Sequence, residues 1–231
     1  MMLLIVIGIF WFLLLQTQPE FKQDLLNLAN RLQQSTGDSA LLQRAVGRFI
    51  TRPGVAGTIF LYIAVLIPVV EEILKPIAVW LLLGRKLLPW EGFLIGATAG
   101  AGYALFENLT IGAGADIWTF VMISRLGTAA VHVMTSGLMG WGLASAWTEK
   151  RYGRLAGSFL AAVILHGVWN ALNILTALAE FPAFHDQLGL FGAYFAAYAP
   201  VGLMILAAGC FLGLLRANTA FRRAIMAQEN I

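Results

Sequence analysis

Long apolar runs separated by short polar joints make up most of the chain. A helix needs about 20 apolar residues to cross the hydrocarbon core of a bilayer. Five runs reach or approach that length and a sixth is shorter, so we predict about six spans, near residues 57–83, 92–112, 117–147, 155–179, 190–215 and 2–15. The pattern therefore predicts an all-α protein, a polytopic transmembrane helix bundle. The short first run has no basic region before it and no A-x-A-like exit, which favours an uncleaved N-terminal helix over a signal peptide.

Composition supports a membrane protein. Hydrophobic residues account for 59% of the chain and charged residues for 12%, whereas soluble domains are about one quarter charged. The net charge of +3 does not indicate nucleic acid, because the basic residues lie at the ends of apolar runs, where anionic lipid headgroups are their natural partners. Cys210 is the single cysteine, which excludes an internal disulfide and a thiolate metal cluster. We expect an integral protein of a prokaryotic plasma membrane, and the sequence leaves its oligomeric state open.

The most polar stretch lies between the first two runs. Apolar positions 41, 42, 45, 46, 49 and 50 recur on one face of a helix, with Arg44, Arg48 and Arg52 off that face. Such a helix either rests in the membrane interface or caps the bundle from the aqueous side. We therefore predict three regions, which are an N-terminal part with the short apolar helix and this amphipathic helix (1–53), a transmembrane bundle (54–216) and a basic tail (217–231).

Ionisable residues lie inside the apolar runs. Glu71 and Glu72 are adjacent in the first long run, and later runs carry Glu107, His132 and His166. Each charge at bilayer depth costs at least about 2.5 to 3.5 kcal/mol, so these groups should face a protein interior or a water-filled cavity. Measured from one face of the bundle at helical rise, they lie about 16 to 25 Å deep. They can therefore share one layer and form a buried polar site.

Local features should shape this site. Pro76 denies a hydrogen-bond donor to the carbonyl of Glu72, which predicts a kink, and Lys75 is within reach of both glutamates. Gly92, Gly96 and Gly100 recur every four residues, a surface that lets another membrane helix approach closely.

Several alternatives stay open from the residues alone. Lys75 and the glutamates could form an ion pair that only locks packing. Glu107 is either a site residue or an interfacial carboxylate. The histidines His132 and His166 either belong to the site or make ordinary packing bonds between helices.

The buried carboxylates and histidines, together with Asn170, suit hydrolysis of an amide or ester by activated water. A buried carboxylate can act as general base, and an imidazole and the carboxamide of Asn170 can donate hydrogen bonds to an oxyanion. No G-x-S-x-G motif lies in the runs, which disfavours an acyl-enzyme route. Two histidines and one glutamate can also hold zinc, with Glu72, His132 and His166 as candidates, although H-E-x-x-H is absent. We favour a metal-free route, with a divalent metal such as zinc as the alternative.

Two other classes of function use similar residues. Membrane carboxylates and histidines also form proton relays, so a proton-coupled carrier or channel is the main alternative. The chain shows no inverted repeat with matched broken helices, which argues against a carrier. An inactive membrane scaffold is the third possibility.

The ordered motifs resemble the PrsW family of intramembrane proteases, which looks related to the prenyl-protein (CAAX) endopeptidases and the bacterial Abi proteins. The resemblance covers about residues 57 to 175 and rests on the segments 71–76 (E-E-I-L-K-P), 106–108 (F-E-N) and 166–170 (H-G-V-W-N), with His132 between the last two. It implies an endopeptidase that acts on membrane-associated proteins.

The resemblance also implies roles for individual residues. Glu71 would be the base that activates water, and Glu72 its essential neighbour. His166 and Asn170 would hold the oxyanion. The CAAX-type enzymes have a histidine four residues after the phenylalanine, where this chain has Thr110, and His132 would supply the missing imidazole. That departure favours the PrsW branch and argues against prenylated substrates.

Overall fold

The structure, a computed structural model, describes residues 19–34, 39–82, 84–109, 118–179 and 182–229. The all-α prediction is confirmed, because the described residues form helices and turns and contain no strand. A π-helical segment spans Tyr62–Leu66. The α-helices in chain order are α1 Pro19–Gln34, α2 Ser39–Ile50, α3 Pro53–Leu61, α4 Ile67–Leu74, α5 Ile77–Trp80, α6 Pro89–Leu109, α7 Trp118–Glu149, α8 Tyr152–Ala179 and α9 Pro182–Glu229.

Three stretches of the described chain are long and apolar enough to cross a membrane, namely Gly54–Trp80, Tyr152–Ala179 and Gly192–Arg223. Two more predicted spans fall on α6 and α7, which are rich in glycine and small polar residues. Much of α7 is buried against protein. Few of its side chains therefore face lipid, and the helix can be less apolar than one that lipid surrounds. Six spans is therefore an approximate count. The predicted span at 2–15 lies outside the described residues.

The chain separates into two compact units. One comprises the residues up to Gly57 together with Ala177–Ala193, and the other comprises Thr58–Thr176 and the residues from Tyr194 onward. In the first unit, the rings of Phe21 in α1 and Phe49 in α2 lie 5.7 Å apart, and Arg52 pairs with Asp24. Part of the apolar face of α2 is therefore covered by α1.

The predicted region boundaries at 53 and 216 stay predictions, and α9 continues through residue 216 without a break.

The predicted glycine surface of α6 packs directly on the backbone of α7. A Cβ atom on Gly92 would lie 2.4 Å from the carbonyl oxygen of Gly140, and one on Gly96 would lie 2.2 Å from that of Ser136. A Cβ on Gly100 would lie 2.4 Å from the carbonyl oxygen of His132. All three separations are far inside van der Waals contact, which is about 3.5 Å or more for carbon. Only glycine permits this approach, which brings the C-terminal half of α6 beside His132.

The helix that carries the diglutamate is broken where Pro76 predicted a kink. Helix α4 ends at Leu74, and Lys75 and Pro76 form a turn before α5 begins. The indole Nε1 of Trp80 donates to the carbonyl oxygen of Ile73 at 2.8 Å, so a backbone acceptor at the break finds a side-chain donor. The π-helical segment before α4 was not predicted, and such segments are often found at functional sites.

Candidate functional site

Lys75 lies at the centre of the predicted polar layer. Its Nζ atom is 2.9 Å from Oε2 of Glu71 and 3.0 Å from Oε1 of Glu72. The same Nζ is 2.8 Å from Nδ1 of His132 and 3.3 Å from Nδ1 of His166. Its side chain is 0% exposed. The structure therefore brings both glutamates and both histidines together around one amine, as their matched depths along the sequence predicted.

Glu72 forms a carboxylate–histidine pair with His166. Oε1 of Glu72 is 2.8 Å from Nδ1 of His166, and the Glu72 side chain is 0% exposed. The other oxygen, Oε2, is buried and has no hydrogen-bond partner among the residues that the structure describes. An unpaired carboxylate oxygen in a buried site is costly. It is therefore available to accept a proton or a hydrogen bond from a bound molecule.

Glu107 forms the second such pair. Its Oε2 is 2.9 Å from Nε2 of His132 and 3.4 Å from the guanidinium NH2 group of Arg125. The Nε atom of Arg125 donates to Oδ1 of Asn108 at 2.6 Å. Of the two placements left open for Glu107, the geometry therefore favours a residue of the cluster over an isolated interfacial carboxylate. Its side chain is 37% exposed, which puts it at the edge of the cluster.

Sequence reasoning missed Tyr103. Its hydroxyl donates to Oε1 of Glu71 at 2.7 Å, and its ring lies 4.8 Å from Nζ of Lys75. The same ring meets the imidazole of His132 edge to face, with centroids 5.4 Å apart. A signal was present, because Tyr103 precedes Glu107 by four residues and so shares its face of α6.

Replacing Tyr103 by Phe should slow the hydrolysis that the sequence predicts, without unfolding the protein. The hydroxyl bond to Glu71 is a bond to a charged group, and such bonds contribute about 1.5 to 3 kcal/mol. If the bond orients Glu71 for the reaction, kcat should fall roughly tenfold to a hundredfold while KM changes little. Steady-state cleavage of a membrane reporter would measure this, with Tyr152→Phe as the control at an exposed tyrosine. An unchanged kcat in Tyr103→Phe would show that the bond is not used.

Asn170 has a different partner from the one expected of an oxyanion donor. Its Nδ2 donates to the carbonyl oxygen of Ile63 at 2.9 Å, within the π-helical segment. One turn earlier on α8, a Cβ on Gly167 would lie 2.4 Å from the carbonyl oxygen of Ala64. Gly167 thus allows α8 to approach the π-helical segment closely, and the Asn170 amide donates a hydrogen bond to the backbone of that segment.

Three residues could hold a metal ion. One ligand atom from each of Glu71, His132 and His166 lies within 4.8 Å of the others. Two histidines and one glutamate are a known catalytic zinc set. The group contains Glu71, where the sequence predicted Glu72, and Glu72 bonds to Nδ1 of His166. Glu72 and Glu107 each hold one nitrogen of a histidine, an arrangement that often orients metal-binding imidazoles. The donor chemistry of the site therefore fits a zinc-like ion.

Comparison with known proteins agrees with this chemistry. The family model described as PrsW family intramembrane metalloprotease matches residues 34–215. No curated protein and no solved structure gives a significant match. The family match spans well over half of the chain and includes every residue of the glutamate and histidine cluster. Its description as a metalloprotease favours the metal that the sequence analysis had kept as an alternative. This chain, an integral membrane protein, belongs to the PrsW family of intramembrane metalloproteases.

Proposed function

We propose that this protein is an endopeptidase that cleaves membrane-associated proteins by a glutamate-dependent attack of water, with a divalent metal in the site. The observation that carries the proposal is the buried cluster in which two carboxylate–histidine pairs and a third glutamate converge. Family membership supports a protease over a proton-coupled carrier or an inactive scaffold. The apolar helices around the cluster favour a substrate that is itself in the membrane.

Glu71, His132 and His166 would hold the metal. A bound ion of this kind polarises the scissile carbonyl and makes a water molecule a stronger nucleophile. Glu107 and Glu72 would fix the two imidazole rings through one nitrogen each, which leaves the other nitrogen of each ring for the metal. This assignment replaces the metal-free route that the sequence analysis favoured.

Glu72 is the residue that we assign to proton transfer. Its Oε2 is a buried carboxylate oxygen with no hydrogen-bond partner among the described residues, whereas both oxygens of Glu71 already have one. The proton of the attacking water would pass to Oε2 and then to the nitrogen of the leaving amine. Glu71, assigned as the base on resemblance, becomes a ligand in this proposal.

Asn170 is assigned a positioning role. An oxyanion donor must point at the reacting carbonyl, and the Asn170 amide would first have to leave the carbonyl of Ile63. We propose that it holds the π-helical segment, and through it the start of α4, against α8. The glutamates lie on α4, so Asn170 would act on the reaction through their placement.

Comparative membrane proteomics tests the function. Cells with the wild-type protein should contain membrane-protein fragments that are absent from cells with Glu71→Gln, in which the same proteins stay intact. Glu149→Gln is a matched control, because Glu149 is an exposed carboxylate at the end of α7. The identified substrate should then be cleaved by the purified protein in detergent. Identical fragment patterns in the wild-type and Glu71→Gln cells would contradict the proposal.

A further inference from the structure

The amine of Lys75 lies among the same atoms that would hold the metal. It is 2.9 Å from Oε2 of Glu71 and 2.8 Å from Nδ1 of His132. Zinc binds glutamate oxygen and histidine nitrogen at about 2.0 to 2.2 Å. An ion held by Glu71, His132 and His166 would therefore overlap with the present position of the amine or come close enough for strong repulsion of like charges.

We propose that Lys75 is an internal competitor for the metal. Its charged amine holds the ligands together in the metal-free protein, and it must leave them for the ion to bind. The inference rests on the metal assignment proposed above, and it adds that Lys75 lowers the affinity of the site.

Charge balance explains why a cation belongs there without a metal. Glu71 and Glu72 are adjacent, with side chains 12% and 0% exposed. Two carboxylates with so little access to water repel each other and lose hydration, and removing the partner of a buried charge is strongly destabilising. The Lys75 amine bonds to both carboxylates. In the proposed competition, the Lys75 amine would therefore supply the positive charge that the two carboxylates need whenever the ion is not bound.

The structure also offers the amine a place to go. Oε1 of Glu72 is 3.0 Å from Nζ and does not belong to the proposed ligand set. The ring of Tyr103 lies 4.8 Å from the same Nζ, within the range of a cation–π interaction. Both groups lie outside the proposed ligand set and can still hold the charged amine after it leaves Glu71 and the histidines.

Metal titration of Lys75→Met tests the proposal without any measurement of activity. Methionine keeps much of the length and removes the charge. The protein, purified in detergent and stripped with a chelator, would be titrated with Zn²⁺ against a chromophoric chelator. Removing a positive charge a few ångströms from a divalent ion should tighten the Kd at least about tenfold. Lys75→Gln is the second variant in case Lys75→Met does not fold, and it should shift the Kd in the same direction.

Lys86→Met is the matched control, because Lys86 is an exposed lysine after α5 and should leave the Kd at the wild-type value. Zinc binding that is equal or weaker in both Lys75 variants would overturn the competition while the metal assignment stands. If neither the wild type nor the variants bind zinc, the metal assignment fails and the competition fails with it. Equal or weaker zinc binding in both Lys75 variants, with zinc still bound by the wild type, is therefore the result that contradicts this inference alone.

Discussion

Glu71→Gln and Glu72→Gln are each expected to abolish proteolysis, but for different reasons that metal content will separate. Glutamine keeps the volume of glutamate and cannot take a proton from water, so Glu72→Gln should lose at least about a hundredfold in rate. It should still bind metal when zinc is saturating. Glu71→Gln replaces a proposed ligand and should lose metal together with activity. The measurements are the initial rate of reporter cleavage and zinc per protein in the purified variants.

Glu149→Gln should match the wild type in both measurements. Wild-type turnover in both Glu71→Gln and Glu72→Gln would refute the glutamate mechanism. If zinc is instead lost from Glu72→Gln and kept by Glu71→Gln, the ligands are Glu72, His132 and His166, and Glu71 is the base.

Removal of the metal is the second change with a large expected effect. Chelation should eliminate activity, because the proposed reaction depends on the bound ion. Added zinc should restore activity, because the ion binds reversibly to the same residues. His132→Ala and His166→Ala should each lose both bound zinc and proteolysis, the latter by at least about a hundredfold. Zinc analysis and rate measurements before and after dialysis against a chelator would test this.

Glu107→Gln should weaken metal binding less than the two histidine variants do, because it removes a residue that orients a ligand and not the ligand itself. Loss of a carboxylate that orients a histidine ligand typically weakens metal binding about tenfold to a hundredfold, so this variant should recover activity as zinc is raised. Full activity in metal-free protein would contradict the metal assignment and return the mechanism to the metal-free route.

Periodicity and depth were sufficient to predict most of the bundle and the meeting of its glutamates and histidines. The apolar runs predicted the helices, and the depths of Glu72, His132 and His166 predicted that these residues meet. Pro76 predicted the break after α4. These features follow from local sequence, because helix rise and the missing donor of proline are the same in every protein.

The details of the cluster depend on tertiary packing and were not predicted. Successive helical residues point about 100° apart, so Glu71 and Glu72 face different neighbours. Which of them meets His166 depends on how α8 packs. The bond from Asn170 to the carbonyl oxygen of Ile63 joins residues 107 positions apart, so it depends on which segment packs opposite α8. Tyr103 was overlooked because a tyrosine in an apolar run is also a common lipid-facing or interfacial residue.

The glycine contacts between α6 and α7 have a consequence for how this protein can be inactivated. Tyr103 and Glu107 lie on α6, His132 lies on α7, and the distance between them is fixed by Gly92, Gly96 and Gly100. A side chain at any of these glycines would push the two helices apart and separate donors from acceptors, although every reacting group would still be present. Loss-of-function substitutions should therefore include a class, centred on these glycines, that removes no chemical group from the site and alters only its dimensions.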